Sequence, residues 1–281
     1  MDTQEINPNS EENNISLNKE KDTFIPGGRA AGAGASIEWI ADSWNLFKAQ
    51  PMKWFLLFLA YTISWLALTL VGSIIALIIS PFIFAAMLLL IPVFTAGFAV
   101  AAEEQRNTGN FQISSLFAGF KKNFGSLIAV GALLLGLYII GVVVMVLTVG
   151  LGVLQLFFAV NNSDLALLGT GGLTTMLLSS VITIIFSIAA LAISWFSPSL
   201  IMINNLKFTE AISMSLSAIK KNLLGGFIFF ILMGIIMQIS AIPLGLGLLI
   251  TMPIYMAAYY TTYRSVFYAP AKKEPSSGSI D

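Results

Sequence analysis

Residues 54–79 run for 26 positions without one charged side chain. As an α-helix the run is about 39 Å long at 1.5 Å per residue, longer than the roughly 30 Å apolar core of a bilayer is thick. Inside lipid only a helix or a closed barrel satisfies its own backbone N–H and C=O groups. Comparable runs follow at about 82–102, 124–147 and 174–201, and residues 223–267 hold enough length for two more. Charged residues make up only 10% of the chain, well below the soluble norm of about 25%. The chain reads as an all-α membrane protein with six transmembrane helices arranged as three hairpins.

Each hairpin is preceded by an amphipathic interfacial segment. The first is Trp44-Asn45-Leu46-Phe47-Lys48-Ala49-Gln50-Pro51-Met52-Lys53-Trp54; the others are Leu116-Phe117-Ala118-Gly119-Phe120-Lys121-Lys122-Asn123 and Ser215-Leu216-Ser217-Ala218-Ile219-Lys220-Lys221-Asn222. Lys48, Lys121 and Lys220 align, and two positions later stand Gln50, Asn123 and Asn222. The returning runs carry Pro92, Pro198 and Pro253. Together these features predict a pseudo-threefold internal repeat over about 36–104, 105–203 and 207–268, with unequal insertions. They form a single membrane domain, 36–268.

Residues 1–23 hold six acids and two bases and almost no large apolar side chains. They read as a disordered acidic tail, and residues 269–281 as a second disordered tail. Residues 24–35 form a glycine-rich linker, expected as a flexible lead into a helix that Ser36 caps. In that helix Ile37, Ile40, Trp44 and Phe47 share one face, suited to lie at the headgroup boundary. Ser80-Pro81 and Pro243-Leu244-Gly245 mark turns. Residues 150–175, with Asn161-Asn162-Ser163-Asp164 and Gly169-Thr170-Gly171-Gly172, read as an irregular stretch whose apolar lead extends the helix, lies at the interface or turns back into the membrane. Tyr255, Tyr259, Tyr260, Tyr263 and Tyr268 with Arg264 form an aromatic belt around a snorkelling cation.

All fourteen Lys and Arg residues fall in the N-terminal region, the connectors between hairpins or the C-terminal end. Basic residues are retained in the cytoplasm during insertion, which predicts a bacterial inner membrane location with both termini cytoplasmic. A basic segment followed at once by an apolar one, the mark of a signal peptide, is missing from the first fifty residues.

Chemistry is hard to place. The chain has no Cys and no His, so it lacks thiolate ligands and the side chain that most readily trades protons near neutral pH. The expected span interiors carry no ionisable group, the usual mark of pumps and coupled transporters. No cofactor, metal site or nucleic-acid partner is expected. Thr62, Ser64, Thr148, Thr183, Ser187, Ser194 and Ser240 read first as hydroxyls bonded to their own helix backbone. Gln238, with four hydrogen-bonding sites, stands apart. Pro92, Pro198 and Pro253 read as kinks, or else as the lining of one central cavity near Gln238. Lys48, Lys53, Lys121, Lys122, Lys220 and Lys221 are candidates for contact with anionic lipid headgroups, though setting topology explains them more simply.

Pro26-Gly27-Gly28-Arg29 with Gly32, Gly34, Trp39-Ile40, Trp44 and Leu46-Phe47 resembles the opening of a family of uncharacterised proteobacterial multispanning inner-membrane proteins. Pro92-Val93-Phe94-Thr95-Ala96-Gly97 and Leu116-Phe117-Ala118-Gly119-Phe120 extend the likeness, which covers residues 24 to about 268. The resemblance implies a bacterial membrane protein and brings no catalytic residues with it. The leading expectation is a non-enzymatic protein that organises the bilayer or binds a membrane partner, itself included. The alternative is a passive channel or a lipid or small-molecule transporter. An enzyme built on Glu103-Glu104 comes third.

Overall fold

The computed structural model describes residues 23–78, 87–162 and 165–269. The Ser80-Pro81 turn, Ser163-Asp164 and the tails beyond Thr23 and Ala269 lie outside them. The described elements are α1 (Ala35–Ala49), α2 (Pro51–Ile78), a 3₁₀ turn (Leu88–Leu90) leading into α3 (Ile91–Thr108), a second 3₁₀ turn (Ile113–Phe117) leading into α4 (Ala118–Lys121), α5 (Phe124–Asn161), α6 (Leu165–Ser194), α7 (Ser197–Ile203), α8 (Phe208–Lys221), α9 (Leu223–Ala241) and α10 (Leu248–Phe267). No strand occurs among the described residues, and the one isolated β-bridge pairs Phe24 with Tyr268.

Among the described residues, five helical segments are long and apolar enough to cross a membrane: Pro51–Leu77, Leu88–Thr108, Phe124–Asn161, Thr170–Ile203 and Leu223–Ala241. The expected sixth crossing, α10, is a 20-residue helix, about 30 Å long, whose Thr, Tyr and Arg residues keep it out of that set. Its surroundings explain the difference. Most of α10 is buried in protein, so its side chains meet α1, α2, α3, α7 and α9 and need not be soluble in lipid.

The core lies toward one end of the bundle. The outgoing helices bury large side chains mainly from their first turns to no further than their middle, Trp54 and Leu57 on α2, Leu127 and Val130 on α5, Phe229 and Met233 on α9. Further along, α2 exposes Leu70, Ile74 and Leu77, and α9 exposes Ile235 and Ile239. These are the faces a bilayer would cover. The close approach of α3 to α4 is made by glycines on both sides. A Cβ on Gly97 would stand 2.1 Å from the Leu116 carbonyl oxygen, and one on Gly119 would stand 2.6 Å from that of Val93. Residues 92–97 and 116–120 are thus opposite sides of one backbone contact.

Three expectations change and one narrows. Within 150–175 the described residues are helical apart from Asn162: α5 runs unbroken for 38 residues and α6 for 30, about 57 and 45 Å. Of the readings given for the apolar lead it is therefore the one that extends the helix, and Ser163-Asp164 lie outside the described residues. Within this stretch Gly152 is a notch for packing, since a Cβ there would meet Thr175 Oγ1 at 2.1 Å, whereas Gly150 and Gly172 have nothing within 4 Å. The face that α1 buries is Ala35, Trp39, Ser43 and Phe47, while Ile37 and Trp44 stay exposed. Ser36 is the second residue of α1 rather than its cap, and its hydroxyl donates to Ala33 O at 2.9 Å. Pro92 and Pro198 sit in the first turns of α3 and α7, where no N–H is needed; only Pro253 lies inside a helix.

Candidate functional site

Residues 24–31, expected as a free linker, are tied down from two sides. Ile25 N donates to Phe267 O at 2.8 Å and Arg29 N to Val266 O at 2.9 Å. Arg29 Nε donates to Ser265 O at 2.8 Å. From the other side, Lys221 Nζ donates to Gly27 O and Gly28 O at 3.1 and 2.7 Å, and Asn222 Nδ2 to Arg29 O at 2.8 Å, while Ala31 N donates to Asn222 Oδ1 at 2.7 Å. Gly28, at φ +69°, fits where a Cβ would stand 2.9 Å from Val266 Cγ1. The segment is a strap sewn between α8 and the end of α10.

The aligned Gln50, Asn123 and Asn222 turn out to share a job. Gln50 Nε2 donates to Gly109 O at 3.0 Å, just past the end of α3. Asn123, in the left-handed region at φ 58°, donates through Nδ2 to Ile201 O at 2.9 Å on α7 and to Asn205 Oδ1 at 3.1 Å. Asn222 holds the strap that is bonded to α10. Each amide therefore latches the start of an outgoing helix to the end of a returning one, or to the strap lying on it.

The ends of the returning helices are joined to each other. Tyr260 OH donates to Glu103 Oε2 at 2.5 Å, linking α10 to α3. Tyr263 OH donates to Asn204 Oδ1, whose Nδ2 donates to Tyr268 OH at 3.0 Å, linking α10 to the end of α7. The Arg264 guanidinium stacks 3.6 Å from the centre of the Tyr268 ring. Trp54 Nε1 donates to Gln105 Oε1 at 2.7 Å, and Gln105 Nε2 to Leu46 O at 2.8 Å. Sequence reading missed Gln105, Asn204 and Glu103 as structural partners, and nothing in their local spacing singled them out.

Three clefts open on this framework. A polar one of about 530 Å³ lies between the strap, α1 and the ends of α3 and α10, with Arg29, Arg106, Arg264, Glu38 and Asp42 among its lining residues. Burial, then the neighbouring Glu38 carboxylate, raises the Asp42 pKa above the usual aspartate value. An apolar cleft of about 560 Å³ opens between α5, α6 and the start of α3, with Gly141 and Phe186 in its walls and Tyr138, Ser187 and Ser194 among its polar groups. A third, of about 450 Å³, runs between α2 and α4 with Lys121 at its rim.

Pro92, Pro198 and Pro253 are all buried and line none of these clefts. Their helices do touch: α3 packs on both α7 and α10. Gln238 is exposed on α9, away from that centre. Thr62, Ser64, Thr148, Thr183, Ser194 and Ser240 each donate to the carbonyl four residues back. The lysines divide. Lys53 donates to Asn110 Oδ1 and to Phe111 O at 3.1 Å, and Lys221 holds the strap, whereas Lys48, Lys121, Lys122 and Lys220 are exposed.

Compared with known proteins, the chain matches no family model, no curated protein and no solved structure, so its function has to be argued from the geometry above.

Proposed function

We propose that the chain is a non-enzymatic, six-span inner-membrane protein with both termini cytoplasmic, built from three repeats, that organises the bilayer or a membrane partner around its charged end. The family-like opening is in keeping with such a protein. One observation carries the reading: the returning helices meet in a packed, hydrogen-bonded centre, with Pro92, Pro198 and Pro253 buried in it and none of them facing a cleft. A centre knitted by Tyr260, Tyr263, Glu103 and Asn204 suits a rigid scaffold better than a conducting path. The threefold order is supported by the three amide latches. Counting α10 as a span is supported by its length and by its packing against α2, α3 and α9, themselves candidate spans.

A second reading, passage of a lipid or a small apolar molecule, is favoured by the 560 Å³ cleft between α5, α6 and α3. The two separate in liposomes. Purified protein reconstituted with a trapped small solute should leak no faster than protein-free vesicles. A flux that Pro253→Ala or Gln238→Ala abolishes would overturn the scaffold reading in favour of transport.

A further inference from the structure

Of the three aligned lysines, Lys48, Lys121 and Lys220, all exposed, only Lys121 lines one of the clefts described above, the otherwise apolar groove between α2 and α4. One wall is a single face of α2, Ser64, Ala67, Leu68 and Val71, at spacings of three, one and three. The Ser64 hydroxyl is already bonded to Ala60 O at 2.7 Å, so that wall presents no unsatisfied polar group. The floor is aromatic, with Phe94 5.4 Å from Phe120 and 6.2 Å from Phe117 between ring centres. Phe117 and Phe120 are 37% and 39% exposed, as rings open to a further occupant are.

We propose that this groove binds one acyl chain of an anionic phospholipid, with its phosphate on Lys121 and the neighbouring Lys122. The stretch from Ser64 to Val71 is about 11 Å of helix, most of the roughly 15 Å that one leaflet's chains occupy in a 30 Å core. The cation stands at the end of the molecule where the other basic residues gather, the level of headgroups. An apolar trough with one cationic rim is complementary to an amphiphile with an anionic head. A second copy of the chain fits less well, because α2, α5, α6 and α9, the helices that present apolar faces, contain no carboxylate to meet Lys121. The proposal rests on α2 being a membrane span and deepens the bilayer-organising reading.

The test is lipid retention by the intact chain in mixed micelles holding equal phosphatidylglycerol and phosphatidylethanolamine, read by native mass spectrometry. The wild type should retain one phosphatidylglycerol in preference. Lys121→Gln should lower that preference about fivefold, the effect of one basic charge near an anionic surface, and Lys48→Gln should leave it unchanged. Ala67→Trp, or Val71→Trp should the first not fold, fills the trough and should abolish retention of either lipid. Retention surviving in the folded trough-filling variant, or an equal loss in Lys48→Gln and Lys121→Gln, overturns the groove as the site. An unchanged preference in Lys121→Gln overturns its anionic character. None of these results depends on solute leak, so a failed groove leaves the scaffold reading standing and a measured flux tests that reading separately.

Discussion

Asn222 ties three segments of the charged end together through one side chain. It caps the passage from α8 to α9, donates to Ala218 O and Arg29 O, and accepts from Ala31 N. It is 6% exposed, so removing the amide leaves buried backbone groups without partners, at a cost of about 1–3 kcal/mol. Asn222→Ala should therefore lower the thermal unfolding midpoint in micelles and release the strap, seen as faster proteolysis around Gly27-Gly28. An unchanged cleavage rate would show that Lys221 and the bonds to the end of α10 hold the strap without Asn222. This residue was half legible in the sequence. Its alignment with Gln50 and Asn123 was visible, but its partner Arg29 lies 193 positions away, and no local pattern reports a contact at that range.

At the scale of elements, the helices themselves were legible wherever apolar runs were long, because burial in lipid or protein leaves a helix as the backbone's only self-sufficient form. What escaped was how faces and breakers would be used. On α1 hydropathy favoured Ile37 and Trp44, yet the helix buries Ser43, because Thr261 Oγ1 stands 2.8 Å from its hydroxyl. The glycines of 150–175 looked like stops, yet α5 and α6 run through them, and Gly152 seats Thr175 in the helix pair. The same distinction yields a prediction. Gly97→Ala must push α3 away from the Leu116 backbone and should cost about 1–3 kcal/mol, the usual range for overpacking. Gly136→Ala, with nothing within 4 Å of its added methyl, should be neutral or stabilise α5 by up to ~1 kcal/mol. Equal midpoints for the two variants would contradict the close approach.

For the whole molecule the decisive question is which ends share a compartment. The chain contains no cysteine, so single cysteines can be added without background. Leu244→Cys and Asn162→Cys, both at exposed positions beyond the apolar helices, should react with a membrane-impermeant thiol reagent applied to intact spheroplasts. Ser114→Cys and Thr209→Cys, exposed at the charged end, should react only after lysis. The reverse pattern would invert the orientation. Labelling of Leu244→Cys and Thr209→Cys from one side would remove the sixth crossing.

The α5–α6 hairpin carries a mechanical consequence. A continuous apolar rod of about 57 Å cannot stand upright in a film whose oily layer is about 30 Å deep without a mismatch along its flank. Either the rod leans over or the film swells locally to meet it, and each response costs a fraction of a kcal/mol per ångström. A protein shaped this way carries its own deformation field, and that field favours the thicker patches of any membrane whose depth varies.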